Sequence, residues 1–160
     1  MAFLQNSHSL YLFLLFSLLI PLSHSSSSSS SIHDLLKSMG LPPGLLPKDV
    51  KSFNLSGSGL LQVFLDGPCL TKFDKSMAFY DSEVRANLTY GRLTGVEGLS
   101  QEELFLWLPV KDIIVKDPTS GLIVIDIGVA HKQVSLSQFE DPPDCAVEGV
   151  MKEKAFAAER

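Results

Sequence analysis

The sequence predicts a mainly β protein: a single antiparallel curled sheet or barrel-like domain, with a short N-terminal helix and a helical C-terminal tail. Three observations predict this fold class. From position 60 onward apolar residues alternate with polar ones or form short runs, turn signals separate these segments, and helical patterns occur only near the two ends. About six to eight short strands at this spacing are typical of an antiparallel barrel or sandwich.

Composition divides the chain into a secretory signal peptide, a flexible serine tract, a β-rich domain and a charged tail, at residues 1–25, 26–31, 32–147 and 148–160. The first part contains "LYLFLLFSLLIPL", an uncharged apolar run that is shorter than the roughly 18–20 residues of a membrane-spanning helix. Small residues at Ser23 and Ser25 predict cleavage near Ser25, so we expect secretion to the extracellular space. An uncleaved membrane anchor is the alternative.

The charge distribution excludes one class of partner. After cleavage about 135 residues remain, which suits one domain. The formal net charge is −5, and every charged side chain follows residue 25. The basic residues are scattered, whereas a phosphate-binding surface needs clustered Lys and Arg, so we expect no nucleic-acid partner. We expect a monomer with no transmembrane segment in the mature chain.

The helical patterns lie at the two ends of the domain. Residues 32–39 predict a short amphipathic helix, because Ser31 can cap it, Asp34 follows three residues later, and Gly40 ends the apolar pattern. "LPPGLLP" comes next, and its prolines exclude regular structure. At the other end, the tail at residues 148–160 is rich in helix formers and charge, so we expect a soluble helix there.

Strand patterns begin with the alternation of Leu61, Val63 and Leu65. Segments at residues 77–81 and 84–90 follow, and Gly91 suits a hairpin turn or a bulge before a short strand at residues 92–96. A polar interval, "EGLSQE", then separates this strand from the next apolar segment.

The segment "ELFLWLPV" at residues 103–110 contains five consecutive apolar residues and therefore offers apolar side chains to both faces of a strand. We predict a central strand that is covered on both faces and ended by Pro109. One face of this strand packs against ordinary core. The other face packs either against core or against an apolar ligand on the concave side of the sheet, with Phe105 and Trp107 as the large lining candidates.

The last strands follow the same logic. After "DIIV", the turn signal "DPTSG" leads into "LIVIDIGVAHKQV", which predicts one long strand at residues 122–134. In this strand Ile123, Ile125, Ile127, Val129 and His131 share one face. Asp126 interrupts the other face, either as a solvent-facing residue or as a polar group in a pocket.

The two cysteines, Cys69 and Cys145, predict a disulfide, since an even count in a secreted chain indicates pairing. The bridge closes a loop of about 77 residues, for which the chain-entropy estimate is on the order of 4–5 kcal/mol. Two buried free thiols are the alternative. The sequons at Asn54 and Asn87 predict N-glycosylation, and the alternation in residues 84–90 places Asn87 on the polar face of its strand.

The sequence carries no recognised catalytic motif: GxSxG, HExxH, CxxC and phosphate-binding glycine loops are all missing from it. His33 and His131 are the two histidines of the mature chain, and a nucleophile–base pair would have to use one of them. A histidine at the end of a strand is more often a hydrogen-bonded rim residue. We therefore predict no catalytic residue, no metal site and no cofactor, and we keep His131 as a ligand-binding candidate.

Several segments together resemble a known plant family, the domain of unknown function 538 (DUF538). These segments are "LLPKDV", "GPC", "FYDSEVRANLTYGRLTGVEGL", "ELFLWLPVKDIIV", "GLIVIDIGVAHKQV" and "FEDPPDC". The family often has lysine at the position of Glu102, so no role of that basic residue is carried over. The resemblance implies one β-rich domain similar in shape to half of the bactericidal/permeability-increasing protein, a lipid-binding fold.

The resemblance also implies two activities, binding of lipids or lipopolysaccharide-like amphiphiles and hydrolysis of chlorophyll, although neither brings a motif that can be placed on this chain. The leading hypothesis is a secreted protein that binds a lipid or another amphiphilic ligand without catalysis. One alternative is an esterase-type hydrolase that uses His131 or His33. The other is an apoplastic interaction protein with a filled core and no ligand.

Overall fold

The computed structural model describes residues 31–73 and 76–146. The predicted signal peptide, all but the last residue of the serine tract and the predicted C-terminal helix lie outside the described residues. Within them, helix α1 spans Ile32–Ser38, and short 3-10 helices span Pro43–Leu45, Pro118–Ser120 and Leu136–Phe139. The nine described strands are β1 (Val50–Leu55), β2 (Leu60–Leu65), β3 (Cys69–Phe73), β4 (Ser76–Thr89), β5 (Arg92–Glu103), β6 (Leu106–Pro109), β7 (Asp112–Ile114), β8 (Leu122–Asp126) and β9 (His131–Ser135).

Helix α1 forms where the sequence predicts it, and Ser31 and Asp34 cap it as the sequence indicates. The Ser31 hydroxyl accepts a hydrogen bond from the Asp34 amide at 3.1 Å, and the Asp34 carboxylate accepts one from the Ser31 amide at 3.3 Å. This reciprocal capping satisfies two amides at the start of the helix. The Ser31 hydroxyl also donates to the Asp34 carboxylate at 2.7 Å, and this bond, together with the one from the Ser31 amide, lowers the pKa of Asp34 below its ordinary value. Leu36 is fully buried, so α1 packs its apolar face onto the sheet.

All strand pairs are antiparallel, and they form one sheet with the order β1-β2-β4-β5-β7-β8-β9. β3 pairs with the first residues of β4, and β6 pairs with the last residues of β5. β4 and β5 therefore belong to two parts of the sheet. We call β3, residues 76–80, residues 99–103 and β6 the distal half. The remaining strands, with the rest of β4 and β5, form the proximal half.

A bend separates the two halves. The register of β4 and β5 shifts between Tyr80 and Arg85, which marks a β-bulge. Gly98 lies opposite this bulge with a φ of +78°, and a Cβ there would clash with the carbonyl oxygen of Glu83. Only glycine fits this close approach. The sheet consequently curls without closing. This confirms the predicted mainly β, single-sheet fold, but the sheet does not close into the barrel that the strand spacing also allowed.

The core lies on the inner face of this curled sheet. Alternating residues of the proximal strands are buried there, together with side chains from α1 and from the loop that precedes β1; they include Leu36, Leu45, Leu46, Leu61, Val63, Val84, Ala86, Leu88, Leu93, Ile113, Ile123 and Ile125. The loop between α1 and β1, which we call the covering loop, is attached to the sheet by Tyr80, since the Tyr80 hydroxyl donates a hydrogen bond to the Leu45 carbonyl at 2.9 Å. The predicted alternation at residues 84–88 is confirmed, whereas Tyr90 lies exposed at the turn that follows.

Two predicted strands are wrong in the same way, because each contains a reversal of the chain. Residues 103–110 are not one central strand. β5 continues through the polar interval to Glu103, Leu104 and Phe105 form a two-residue turn, and β6 returns beside β5. Likewise, residues 122–134 divide into β8 and β9. At this second turn the Asp126 carboxylate accepts a hydrogen bond from the Gly128 amide at 2.7 Å, and Gly128 has a φ of +82°.

The predicted disulfide is confirmed. Cys69 at the start of β3 is bonded to Cys145, with a Cα–Cα distance of 5.2 Å. The Ala146 amide donates a hydrogen bond to the Leu70 carbonyl at 2.7 Å beside it. The disulfide thus holds the last described residues against β3, on the distal half of the sheet.

Candidate functional site

The inner face of the distal half encloses a small apolar cavity. Residues two apart in a strand share a face, so Ala78 and Tyr80 of β4 point inward with Leu99 and Gln101 of β5. The curl of the sheet brings β8 and β9 across from them. The cavity has a volume of about 40 Å³, and its lining also includes Phe73, Ser76, Met77, Val110, Ile125, Val134, Gln138 and Phe139. Drug-sized ligands occupy sites of about 300–1,000 Å³, so the described conformation is nearly filled.

Lys132 and Glu103 form an ion pair beside the lining residue Ser76, and hence at the edge of this cavity. The Lys132 Nζ donates to the Glu103 Oε2 at 2.6 Å and to the Ser76 Oγ at 3.3 Å. Their side chains are 29% and 34% exposed, so the pair is partly shielded from water. It joins β9 to the end of β5 and the start of β4, although β9 pairs with β8 in the sheet. The cavity therefore has apolar walls and one charged, hydrogen-bonded edge.

The turn between β5 and β6 exposes three consecutive apolar side chains. Leu104, Phe105 and Leu106 are 83%, 93% and 62% exposed. Leu104 and Phe105 have φ values of +50° and +67°, and they are the only non-glycine residues with positive φ in the described chain. A two-residue turn with positive φ at both positions favours Asn-Gly. Leucine and phenylalanine there cost roughly 1–2 kcal/mol each in backbone strain.

This turn is therefore unfavourable on two counts. Burying one such large apolar side chain gains about 1.5–3 kcal/mol, and here that gain is forgone while the backbone is strained. Exposed apolar patches and strained residues both concentrate at binding sites. We call Leu104, Phe105 and Leu106 the apolar tip.

The sequence-predicted ligand candidates do not line the cavity. Phe105 points into solvent at the apolar tip. Trp107 lies opposite Glu102 and hence on the outer face of the sheet, where its ring meets Phe79 edge-on with centroids 6.4 Å apart. His131 is 72% exposed, with its Nδ1 3.5 Å from the Asp126 Oδ2. The cavity is instead lined by residues that the sequence does not mark as ligand candidates.

The other titratable groups have structural surroundings. The His33 Nδ1 lies 3.0 Å from the Pro43 carbonyl oxygen, and the ring therefore joins α1 to the covering loop. Burial raises the pKa of Tyr80, a shift that a hydrogen bond with Thr71 partly offsets, so the phenol remains neutral. In the part of the chain that the structure describes, no three His, Cys, Asp or Glu side chains are grouped to hold a metal ion.

Both sequon asparagines are exposed on the outer face of the proximal half. Asn54 pairs with Gln62, and Asn87 pairs with Leu60, two residues along the same strand. The two side chains thus project from one surface, which faces away from the core. Asn87 lies in the strand pattern that the sequence predicts, whereas Asn54 lies within β1, a strand that the sequence patterns do not predict.

The comparison with protein families matches residues 32–140 to the family described as "Protein of unknown function, DUF538". The chain belongs to the DUF538 family. The matched region of this DUF538 protein runs from α1 to the 3-10 helix at Leu136–Phe139, and it contains all nine described strands, the cavity and the apolar tip. No curated protein and no solved structure matches the chain significantly. Among the described helices of the DUF538 domain, none is long and apolar enough to cross a membrane.

Proposed function

We propose that this DUF538 protein is secreted and binds the apolar part of a lipid or of another amphiphilic ligand without catalysis. The observation that carries this proposal is the apolar cavity with Lys132 and Glu103 at its edge. Amphiphile sites combine apolar walls with a few placed polar groups, and this cavity has both. The hydrocarbon enters between the distal half and β9, and the polar head stays at the ion pair.

A hydrocarbon chain requires the cavity to widen, and the structure favours β9 as the element that moves. β9 lies at the end of the strand order, and Lys132 and Val134 are its side chains that face the distal half. Edge elements with few packed neighbours open at lower free energy than central strands. Gln138 in the lining is unbranched, so its side chain can change rotamer to make room.

Secretion is supported by the disulfide and by the position of the sequons. A disulfide between Cys69 and Cys145 persists in an oxidising compartment and is rare in reducing ones. The exposed outer-face positions of Asn54 and Asn87 leave room for glycans there.

The test is binding of a dansyl-labelled fatty acid to the purified secreted protein, with paired substitutions. Val134→Phe fills the cavity from β9, whereas Val129→Phe makes the same change at an exposed turn residue. We expect Val134→Phe to weaken binding about tenfold, equivalent to about 1.4 kcal/mol, and Val129→Phe to leave it unchanged. Mass spectrometry of protein purified natively should also detect a co-purifying lipid.

Two results would contradict the proposal. If the labelled fatty acid does not bind and no lipid co-purifies, the interior is ordinary core and the apoplastic interaction protein becomes the better reading. If both Val134→Phe and Val129→Phe bind like the parent protein, the ligand does not occupy this cavity.

Esterase-type hydrolysis is a second candidate because of one observation, the proximity of His131 to Asp126. A carboxylate beside imidazole orients a general base. Among the hydrogen bonds of residues 31–73 and 76–146, none joins His131 to the side chain of a serine, threonine or cysteine that could act as nucleophile. Binding therefore remains the better-supported function.

A further inference from the structure

We propose that the apolar tip inserts into the surface of an electrically neutral lipid bilayer and so delivers the protein to its ligand. This inference rests on the proposed function, since it names the surface from which a lipid ligand comes, but a separate observation carries it. Leu104, Phe105 and Leu106 are exposed in succession at a narrow turn. The backbone of Leu104 and Phe105 is held in a conformation that other residue types would adopt more easily.

The shape of the tip favours a bilayer over a folded partner. A two-residue turn between the paired residues Glu103 and Leu106 is a narrow protrusion rather than a face or a groove. A protein partner needs a matching pocket and a broad contact area, whereas a bilayer accommodates a small convex apolar protrusion. Insertion then buries the apolar side chains, which offsets the strain at Leu104 and Phe105.

The charges near the tip indicate which lipid is suitable. Glu103 is paired with Lys132, and Glu102 on the outer face lies in the same row of residues as the exposed Lys72 of β3, so the described surface near the tip carries no cluster of basic charge. The whole chain has a formal net charge of −5. Anionic lipids would repel such a protein, because an anionic surface attracts clusters of Lys and Arg. A zwitterionic bilayer, such as one of phosphatidylcholine, has no such penalty.

The positions of Trp107 and of the sequons fit an orientation in which the apolar tip points into the bilayer. Trp107 directly follows the apolar tip and packs on Phe79, at the height where an aromatic ring would meet the lipid headgroups. Asn87 pairs with Thr94 of β5, nine residues before Glu103 and therefore roughly 25–30 Å from the tip along the strand. Glycans at the proximal half would remain in water while the tip is inserted.

The cavity and the tip lie at the same end of the molecule. Glu103 is the residue before Leu104, and its carboxylate binds Lys132 at the cavity edge. A bilayer that receives the tip therefore lies next to the charged edge of the cavity. A lipid can move from the bilayer to the cavity at this contact without passing through bulk water.

The experiment is vesicle flotation of the full secreted glycoprotein with phosphatidylcholine vesicles, using one substitution that spares the fold. The double substitution Leu104→Asn with Phe105→Gly removes two apolar side chains and installs the dipeptide that this turn favours. Tyr90→Asn is the control, because it removes an exposed aromatic side chain at the opposite end of β4 and also creates Asn-Gly.

We expect the parent protein and Tyr90→Asn to float with the vesicles, and the double variant to bind them about tenfold less or worse. Emission of Trp107, the only tryptophan, should shift to shorter wavelength when vesicles are added to the parent protein. Adding anionic lipid should not strengthen binding. The dansyl-labelled fatty acid should bind the double variant as it binds the parent, which separates the tip from the cavity.

Three results would overturn the inference. The parent protein fails to float, the double variant floats as well as the parent, or only anionic vesicles are bound. A parent protein that is dimeric and ignores vesicles, with a monomeric double variant, would assign the tip to a second copy of the chain instead. In each case the fatty-acid measurement still decides the proposed cavity function independently.

Discussion

Lys132 and Glu103 connect two strands that the sheet itself keeps apart. The Nζ of Lys132 lies 2.6 Å from the Oε2 of Glu103, although β9 pairs with β8, and β5 pairs with β4, β6 and β7. The contact exists because the bend at Gly98 turns the distal half toward β9. One ion pair thus bridges the edge strand β9 and the distal ends of β4 and β5 across the inner face of the curled sheet.

Removing this bridge should loosen β9. We expect Lys132→Met to lower the free energy of unfolding by about 1 kcal/mol, since a partly shielded ion pair contributes more to stability than an exposed pair, whose contribution is near zero. Lys51→Met is the matched control, because the Lys51–Asp66 pair is largely exposed. Urea denaturation measures both, and hydrogen exchange of the β9 amides should accelerate only in Lys132→Met. Equal effects of the two substitutions would show that the bridge adds nothing beyond a surface pair.

Relieving the backbone strain at the turn between β5 and β6 should stabilise the protein. Replacing Leu104 with Asn and Phe105 with Gly should raise the free energy of unfolding by about 1–3 kcal/mol, because both positions have positive φ. The comparison is urea denaturation of the parent and the double variant without lipid. A loss of stability would mean that Leu104 and Phe105 make stabilising contacts that outweigh their backbone strain.

This turn also shows why part of the fold could not be predicted from the sequence. Turn prediction depends on Gly, Pro, Asn and Asp, which adopt positive φ or hydrogen-bond their own backbone. Leu104 and Phe105 carry none of these signals, so an apolar run containing a turn looked like a strand covered on both faces. The error arose where the sequence departs from local preference, and such departures are expected at functional sites.

The second missed reversal was readable in principle. Asp126 and Gly128 form a turn of a known type, but the isoleucines around them gave a continuous period of two that concealed it. By contrast, the Ser31–Asp34 cap and the turn at Gly91 were predicted correctly, because each is encoded by residues a few positions apart.

The cavity could not be predicted because its walls come from strands far apart in sequence. The sequence predicts a polar interval rather than a strand around Gln101, so the face that Gln101 shares with Glu103 in β5 was not predicted. Lys132 and Val134 share one face of β9, but local alternation does not show that this face meets the end of β5. That depends on the bulge between Tyr80 and Arg85, whose position has no strong local signal.

The disulfide should contribute substantially to stability. Replacing Cys69 and Cys145 with serine is expected to lower the free energy of unfolding by about 2–4 kcal/mol, since the bridge closes a long loop and holds Cys145 and Ala146 against β3. Denaturation of the double serine variant tests this. Reduction of the parent protein with dithiothreitol should reproduce the same loss, and a bridge that contributes nothing would leave both curves unchanged.

The secretory route can be tested through the two sequons. In protein secreted by plant cells, Asn54→Gln and Asn87→Gln should each remove the mass of one glycan, because both asparagines are exposed on the outer face. Neither change should alter the unfolding transition by more than about 0.5 kcal/mol. Mass spectrometry should also place the mature amino terminus near Ser26. An intact leader, or no loss of mass on deglycosylation, would rule out the proposed route.

His131 separates the binding function from the hydrolase alternative. Because its ring is largely exposed and lies beside Asp126 rather than in the cavity, we expect His131→Ala to leave binding of the dansyl-labelled fatty acid unchanged. Turnover of p-nitrophenyl esters and of chlorophyll should be measured in the parent, in His131→Ala and in Asp126→Asn. If the parent turns over either substrate and both substitutions abolish that turnover, the protein is a hydrolase. Residual turnover that neither substitution changes would instead exclude the His131–Asp126 pair as the catalytic base, since an oriented imidazole contributes a factor of roughly 10²–10⁴ when it is used.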